Sequence, residues 1–132
     1  MALVEDVAAR LRTQVSSRTV YEHAVPDGDV AAAYLLVRAA VTDEGSERLA
    51  TTTHVTGATV RVLSVARNKS PYVAARTATA GATLTRAALR DWRPSGGQWP
   101  LRFDLGADAF KDDSIPETTY VAPLQYSLRG SV

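Results

Sequence analysis

The chain has 132 residues, 45% of them hydrophobic, with 15 Lys+Arg against 14 Asp+Glu, a formal net charge of +1 and no cysteine. That size makes one domain, which hides roughly two-thirds of the surface its unfolded form exposes and needs no disulfide, metal or cofactor to fold. The missing thiol excludes disulfide frameworks, thiolate zinc sites, iron–sulfur clusters and cysteine nucleophiles, and the near-zero charge gives no broad field for nucleic acid or an anionic membrane.

Leu3, Val4, Val7, Ala8, Leu11 and Val15 recur at three- and four-residue steps while Glu5, Asp6, Arg10 and Arg12 face away, which predicts a first helix. Its interspersed charges leave neither the uninterrupted run of a secretory signal nor the span of a membrane helix. Thr19-Val20-Tyr21 is a short β-prone stretch ahead of the turn-rich Pro26-Asp27-Gly28-Asp29. Tyr34 to Val41 is almost continuously apolar, which predicts a long strand covered on both faces or buried in a subunit contact. A polar stretch, TDEGSERLATTT over residues 42–53, separates it from a second strand-like segment, Ala58 to Ala66. Together they predict a long β-hairpin. A hairpin connection needs only about two to five residues, so the excess around 42–57 predicts a projecting arm.

Ser70-Pro71 starts a second helix, with serine as cap and proline in the first turn, running alanine-rich toward Trp92. Its spacing predicts a buried stripe of Val73, Thr77, Ala80, Leu84 and Ala88, with Arg76, Arg86 and Arg90 solvated. Gly81 costs about 1 kcal/mol relative to alanine inside a helix, which predicts either close packing against the sheet or a bend. Pro94, Gly96 and Gly97 end the helix, and Leu101, Phe103 and Leu105 then alternate on one face of a half-buried strand. After a polar loop, Gly106 to Glu117, a last strand sets Tyr120, Ala122, Leu124, Tyr126 and Leu128 on one face and Thr119, Gln125, Ser127 and Arg129 on the other. Pro123 in its middle predicts a sheet edge or a bulge. The fold class is α+β: a mostly antiparallel sheet with a long β-hairpin, flanked by two helices, in the order α-β-β-β-α-β-β.

No catalytic, cofactor-binding or metal residue stands out. His23 and His54 have no second ligand at metal spacing. Asp104, Asp108, Asp112 and Asp113 are the densest carboxylate group, yet they lack the alternating ligands and central glycine of a calcium loop. Glycine-rich phosphate loops and the G-x-S-x-G elbow are both missing. Arg86, Arg90 and Arg93 with Trp92 have the composition of a stacking and phosphate patch, but their spacing is that of a solvated helix face beside a core-closing aromatic, with Trp92 and Trp99 plugging the end of the core. The expectation is a protein that is not an enzyme.

Several pieces together resemble a family. They are the helix-first layout, the strand Tyr34–Val41 running into Gly45-Ser46-Glu47-Arg48-Leu49 and a threonine-rich hairpin, the strand Thr59–Val65, the helix ending Ala87-Ala88-Leu89-Arg90-Asp91-Trp92-Arg93-Pro94, and the ending Asp112-Asp113…Pro116…Tyr120…Tyr126. Over nearly the whole chain these resemble the tail terminator proteins, also called tail-completion or tail-to-head joining proteins, of long-tailed actinobacterial phages. The resemblance implies a small α+β subunit that forms a hexameric ring at the head-proximal end of the tail tube. It implies contacts with the tube protein and the head–tail connector, and genomic DNA passing through the lumen without sequence-specific binding. It also implies no cofactor, no membrane, and a place in the virion tail after assembly in the host cytoplasm. Within such a ring Asp43, Glu44 and Glu47 would meet basic side chains of the next subunit and Arg48 a carboxylate, with Tyr34 and Leu36 in the apolar part of the interface. The alternatives are a head-side connector or stopper of similar fold, and a small ligand-binding domain with Asp104, Asp108, Asp112 and Trp99 around a pocket.

Overall fold

The computed structural model describes residues 3–28, 30–39, 58–94, 100–115 and 117–128. Helix α1 (Leu3–Gln14) forms where the spacing predicts, burying Leu3, Val4, Val7, Ala8 and Leu11. Glu5 and Asp6 occupy its first turn and Arg12 its last, the order of charge that suits the helix dipole. The strands are β1 (Thr19–Glu22), β2 (Ala33–Ala39), β3 (Ala58–Arg67), β4 (Arg102–Gly106), β5 (Phe110–Lys111) and β6 (Thr119–Leu128), with helix α2 (Pro71–Leu89) between β3 and β4 in the chain. Across the sheet they run β1-β2-β3-β6-β4, with β5 also paired to β6. All pairs are antiparallel except β1–β2, which is parallel. The architecture is therefore the expected α+β layer, with one addition: β5 forms inside the stretch that reads as a polar loop.

Both helices pack on one face of this sheet. The register places Leu35 and Val37 of β2, Val60 and Val62 of β3, and Leu124 and Tyr126 of β6 side by side on that face. They close a core with Val7, Ala8 and Leu11 of α1 and Ala88 and Leu89 of α2. Burying each such leucine or valine contributes about 1.5–3 kcal/mol. Trp92 packs against this core, and its carbonyl accepts from Leu101 N at 2.9 Å, so it plugs the end of the core as expected.

Helix α2 begins as predicted, with Ser70 Oγ accepting from Val73 N at 3.3 Å and Pro71 as the first helical residue. Its buried face differs from the expected one. Ala74, Ala78, Gly81, Thr85, Ala88 and Leu89 are buried, whereas Val73 and Leu84 are each 40% exposed and Ala80 is also exposed. The cause is close approach to β3. A Cβ at Gly81 would press on Ser64 Oγ and lie 2.6 Å from Arg18 Nη1, so only small side chains fit at this contact. At this contact the helix therefore presents Ala74, Ala78 and Gly81 to the sheet and turns Val73 and Leu84 away. The buried hydroxyls are satisfied within the contact: Ser64 Oγ donates to Ala78 O at 2.7 Å and Thr85 Oγ1 to Gly81 O at 2.9 Å.

Two other expectations shift. Leu101 is buried, but a bulge between Phe103 and Leu105 sets Leu105 opposite Gln125, on the other sheet face, where it is 55% exposed. Pro123 lies not at an edge but in β6, between β3 and β4. Its carbonyl accepts from Ala107 N at 3.1 Å, in the break between β4 and β5, so the missing N–H faces no strand.

Because Gly81 is held by this contact, Gly81→Ala should destabilise the chain although alanine favours helix by about 1 kcal/mol. In a Ser64→Ala background the cost should shrink, and Leu84→Ala should change stability by less than about 1 kcal/mol because the site is exposed. Urea unfolding midpoints measure all three. A stabilising Gly81→Ala in the native background contradicts the close-approach account.

Candidate functional site

The alternation that puts Leu35, Val37, Val60 and Val62 under the helices turns their neighbours to the opposite face. There the register aligns two apolar rows, Tyr34–Val65–Val121–Phe110 and Tyr21–Leu36–Leu63–Pro123. A third row, Arg38–Arg61–Gln125–Leu105, borders them. Arg38 and Arg61 stand directly opposite each other, an unfavourable like-charge arrangement. Arg61 donates to Gln125 Oε1 at 3.3 Å, and neither arginine has a carboxylate partner among the described residues.

The described parts of the crossover that a parallel β1–β2 pair requires, 23–28 and 30–32, lie over one end of this face. Ala31 N donates to the Tyr21 hydroxyl at 3.2 Å, the Arg67 side chain donates to Val30 O at 2.8 Å, and Arg67 N donates to Ala32 O at 2.7 Å. Tyr21 and Tyr34 pack edge to face with centroids 5.2 Å apart. At this end Leu36 is 7% exposed, Val65 is buried and Tyr34 is half-buried; burial pushes the Tyr34 phenol up. Toward β6 the face opens: Leu63, Val121 and Pro123 are half-buried and Phe110 is 51% exposed. Carboxylates rim the open end. Asp112 accepts from Ser114 Oγ at 2.6 Å and Ser114 N at 3.0 Å, bonds that hold its carboxyl below the usual range. Glu117 pairs with Arg67 at 3.1 Å, and Asp113 lies 3.9 Å from Lys111.

Of the residues singled out in the sequence, Tyr34 and Leu36 both lie on this face. Asp43, Glu44, Glu47 and Arg48, the arm around 42–57 that carries them, His54 and Trp99 lie outside the described residues. Asp104, Asp108 and Asp112 are not brought together. Asp104 accepts from Ser127 Oγ at 2.9 Å and Arg102 Nε at 3.1 Å, and Asp108 lines an open groove of about 320 Å³ between α2 and the β4–β5 segment. Arg86 lies 4.1 Å from the Phe103 ring, while Arg10 lies over Trp92 at 5.9 Å, and Arg86, Arg90 and Arg93 are exposed, as a solvated helix face requires.

The fold also assembles a group with no sequence signature, because Glu5 is distant in the chain from Glu22 and His23. Ligand atoms of Glu5, Glu22 and His23 lie within 4.8 Å of one another. His23 Nε2 is 2.5 Å from Glu5 Oε2, a hydrogen bond that keeps the Glu5 carboxyl below its usual range, and Glu22 is taken by Arg12 at 2.8 Å. These internal pairings account for the cluster.

Tyr126 stands on the helical side beside Phe103, with ring centroids 5.4 Å apart. Burial pushes its phenol from 10.0 up to about 12. A raised phenol pKa favours the folded state fully below the ordinary value, and that contribution is lost as pH rises from about 10 toward 12. A tyrosinate absorbance titration should show a step near 12, and Tyr126→Phe should remove that late step and flatten the alkaline loss of stability. A late step that Tyr126→Phe leaves in place contradicts this.

No protein-family model matches the sequence, and no curated protein matches it. Among solved structures, a chain from the virion of a native gene transfer agent particle is similar, with a TM-score of 0.64 at 22% sequence identity over 96% of this chain and 92% of that one. The two chains share a fold over nearly their whole lengths.

Proposed function

We propose that this chain is a structural virion subunit, a tail terminator whose hexameric ring caps the head-proximal end of a phage tail tube, ends tube polymerisation and offers a docking surface to the head–tail connector. The observation that carries this reading is the end-to-end fold likeness to a chain of a gene transfer agent virion, which agrees with the family resemblance of the sequence. The surface chemistry supports it too, since the described face is an apolar band between a basic row and an acidic rim, suited to a protein partner.

Under this reading the mechanism is interface geometry rather than catalysis. One ring face matches what the last tube ring presents, and the other lacks the groups that would add a further ring, so growth stops. Tyr34 and Leu36, partly covered by the crossover, support the β1–β2 end of the contact face. Asp43, Glu44 and Glu47 supply carboxylates to basic side chains of the next subunit, and Arg48 meets a carboxylate; such charges set register and partner choice more than affinity. The partners are the homo-hexamer itself, the tube protein and the connector, while DNA passes through the lumen without being read. No cofactor and no membrane enter the reading, and no helix among the described residues is long and apolar enough to cross one.

Mixed with purified tail tubes, the chain is expected to co-sediment with them. The Glu44→Ala/Glu47→Ala/Arg48→Ala variant should keep the wild-type circular dichroism spectrum and associate into rings at least about tenfold less well by native mass spectrometry, since three lost charge contacts with the next subunit of about 0.5 kcal/mol each amount to that. An unfolded triple variant contradicts the role of the arm. A wild-type chain that ignores tubes and binds purified connector instead favours the head-side alternative.

A further inference from the structure

Two apolar surfaces remain on the described chain, and they are of opposite kind. One is a helix stripe: Val73, Ala80, Leu84 and Ala87 of α2 are exposed and lie about 110° round the helix from its buried side, with Tyr72 exposed at the start. No acidic residue occurs in α2, and Arg76 beside the stripe lies 6.0 Å from the Tyr72 ring. The other is the open end of the sheet face, formed by Leu63, Val121, Pro123, Phe110 and Leu105 and rimmed by Asp112, Asp113 and Glu117. Asp112 is held ionised by Ser114 and has no cation partner among the described residues.

An apolar helix stripe is stabilised by a sheet to lie on, and an antiparallel sheet with one bare face by a helix layer to cover it. These two surfaces sit on opposite sides of the same sheet, so one molecule cannot bring its own pair together. A second copy can. We propose that the exposed α2 stripe of one copy docks on the open sheet face of the next, repeating between copies the helix-on-sheet packing found within each. The charges agree, because the acid-free helix with Arg76 meets a rim on which Asp112 has no cation partner among the described residues, Glu117 being paired with Arg67 and Asp113 with Lys111, whereas two copies of the helix surface would repel each other. A contact between two different surfaces is head-to-tail, the kind that closes into a ring when its rotation fits. This rests on the ring reading and names the faces that build it.

Leu84→Asp disables the helix surface and Phe110→Asp the sheet surface, and both sites are exposed, so circular dichroism should remain that of the wild type; Leu105→Asp serves if Phe110→Asp fails to fold. By native mass spectrometry at high protein concentration, the wild-type chain should form oligomers and each variant alone should associate at least tenfold less. An equimolar mixture of the two should form heterodimers and nothing larger, because one variant supplies an intact helix surface and the other an intact sheet surface. A mixture that stays monomeric, variants that associate like the wild type, or a wild-type chain that stays monomeric overturns the inference. Co-sedimentation with tail tubes separates the two claims, since wild-type binding to tubes that both variants retain removes these docking faces and leaves the terminator reading standing.

Discussion

The close approach of α2 to β3 at Gly81 and Ser64 governs much of what the molecule presents to its surroundings. With no room for a Cβ at that point, the helix can meet the sheet only along its smallest residues, Ala74, Ala78 and Gly81. Ser64 and Thr85 then spend their hydroxyls inside the contact, on the carbonyls of Ala78 and Gly81. The consequence falls on the far side of the helix, where Val73 and Leu84 are left in solvent. In a solitary domain that arrangement forgoes apolar burial worth about 25 cal/mol per Å²; in an assembling subunit it supplies a contact surface.

The same separation of roles runs through the sheet. Alternate residues of β2, β3 and β6 belong to the core beneath the helices, and among the intervening ones Tyr34, Leu36, Leu63, Val65, Val121 and Pro123 form a second apolar surface that neither helix covers. The crossover between the parallel strands β1 and β2 shields only the end near Tyr21 and Tyr34. What remains open lies toward β6 and β5, between the Arg38–Arg61 row and the carboxylates of Asp112 and Glu117.

Much of this fold is legible in local sequence, because hydrophobic period reports burial wherever one element meets one partner. The face of α1, the Ser70-Pro71 start, the two long strands and the inward row of β6 all follow from spacing alone. Period misleads where an element carries two apolar stripes, since Val73, Thr77, Ala80 and Leu84 have a buried helix's spacing and only the tertiary contact at Gly81 selects the other stripe. Leu105 escapes for a related reason: a one-residue bulge moves it to the opposite face, and alternation cannot register an inserted residue. Pro123 reads as a sign of an edge or a bulge, but the break between β4 and β5 that accommodates it is a property of the neighbouring segment. On the candidate surface, Tyr34 and Leu36 are readable from their apolar run, whereas Phe110 becomes part of it only through β5, two residues that local pattern does not distinguish from loop. The Glu5–Glu22–His23 group depends wholly on α1 and β1 meeting in space.

The proposed function makes this chain one copy among several in a tail, at the end that meets the head. Cryo electron microscopy of intact virions that carry it, with the density at the tail's head-proximal end resolved well enough to trace the chain, tests that most directly. A six-fold ring of this fold, seated on the last tube ring and below the connector, is the predicted result. A chain found elsewhere in the particle, or a head-proximal ring built from another protein, contradicts it.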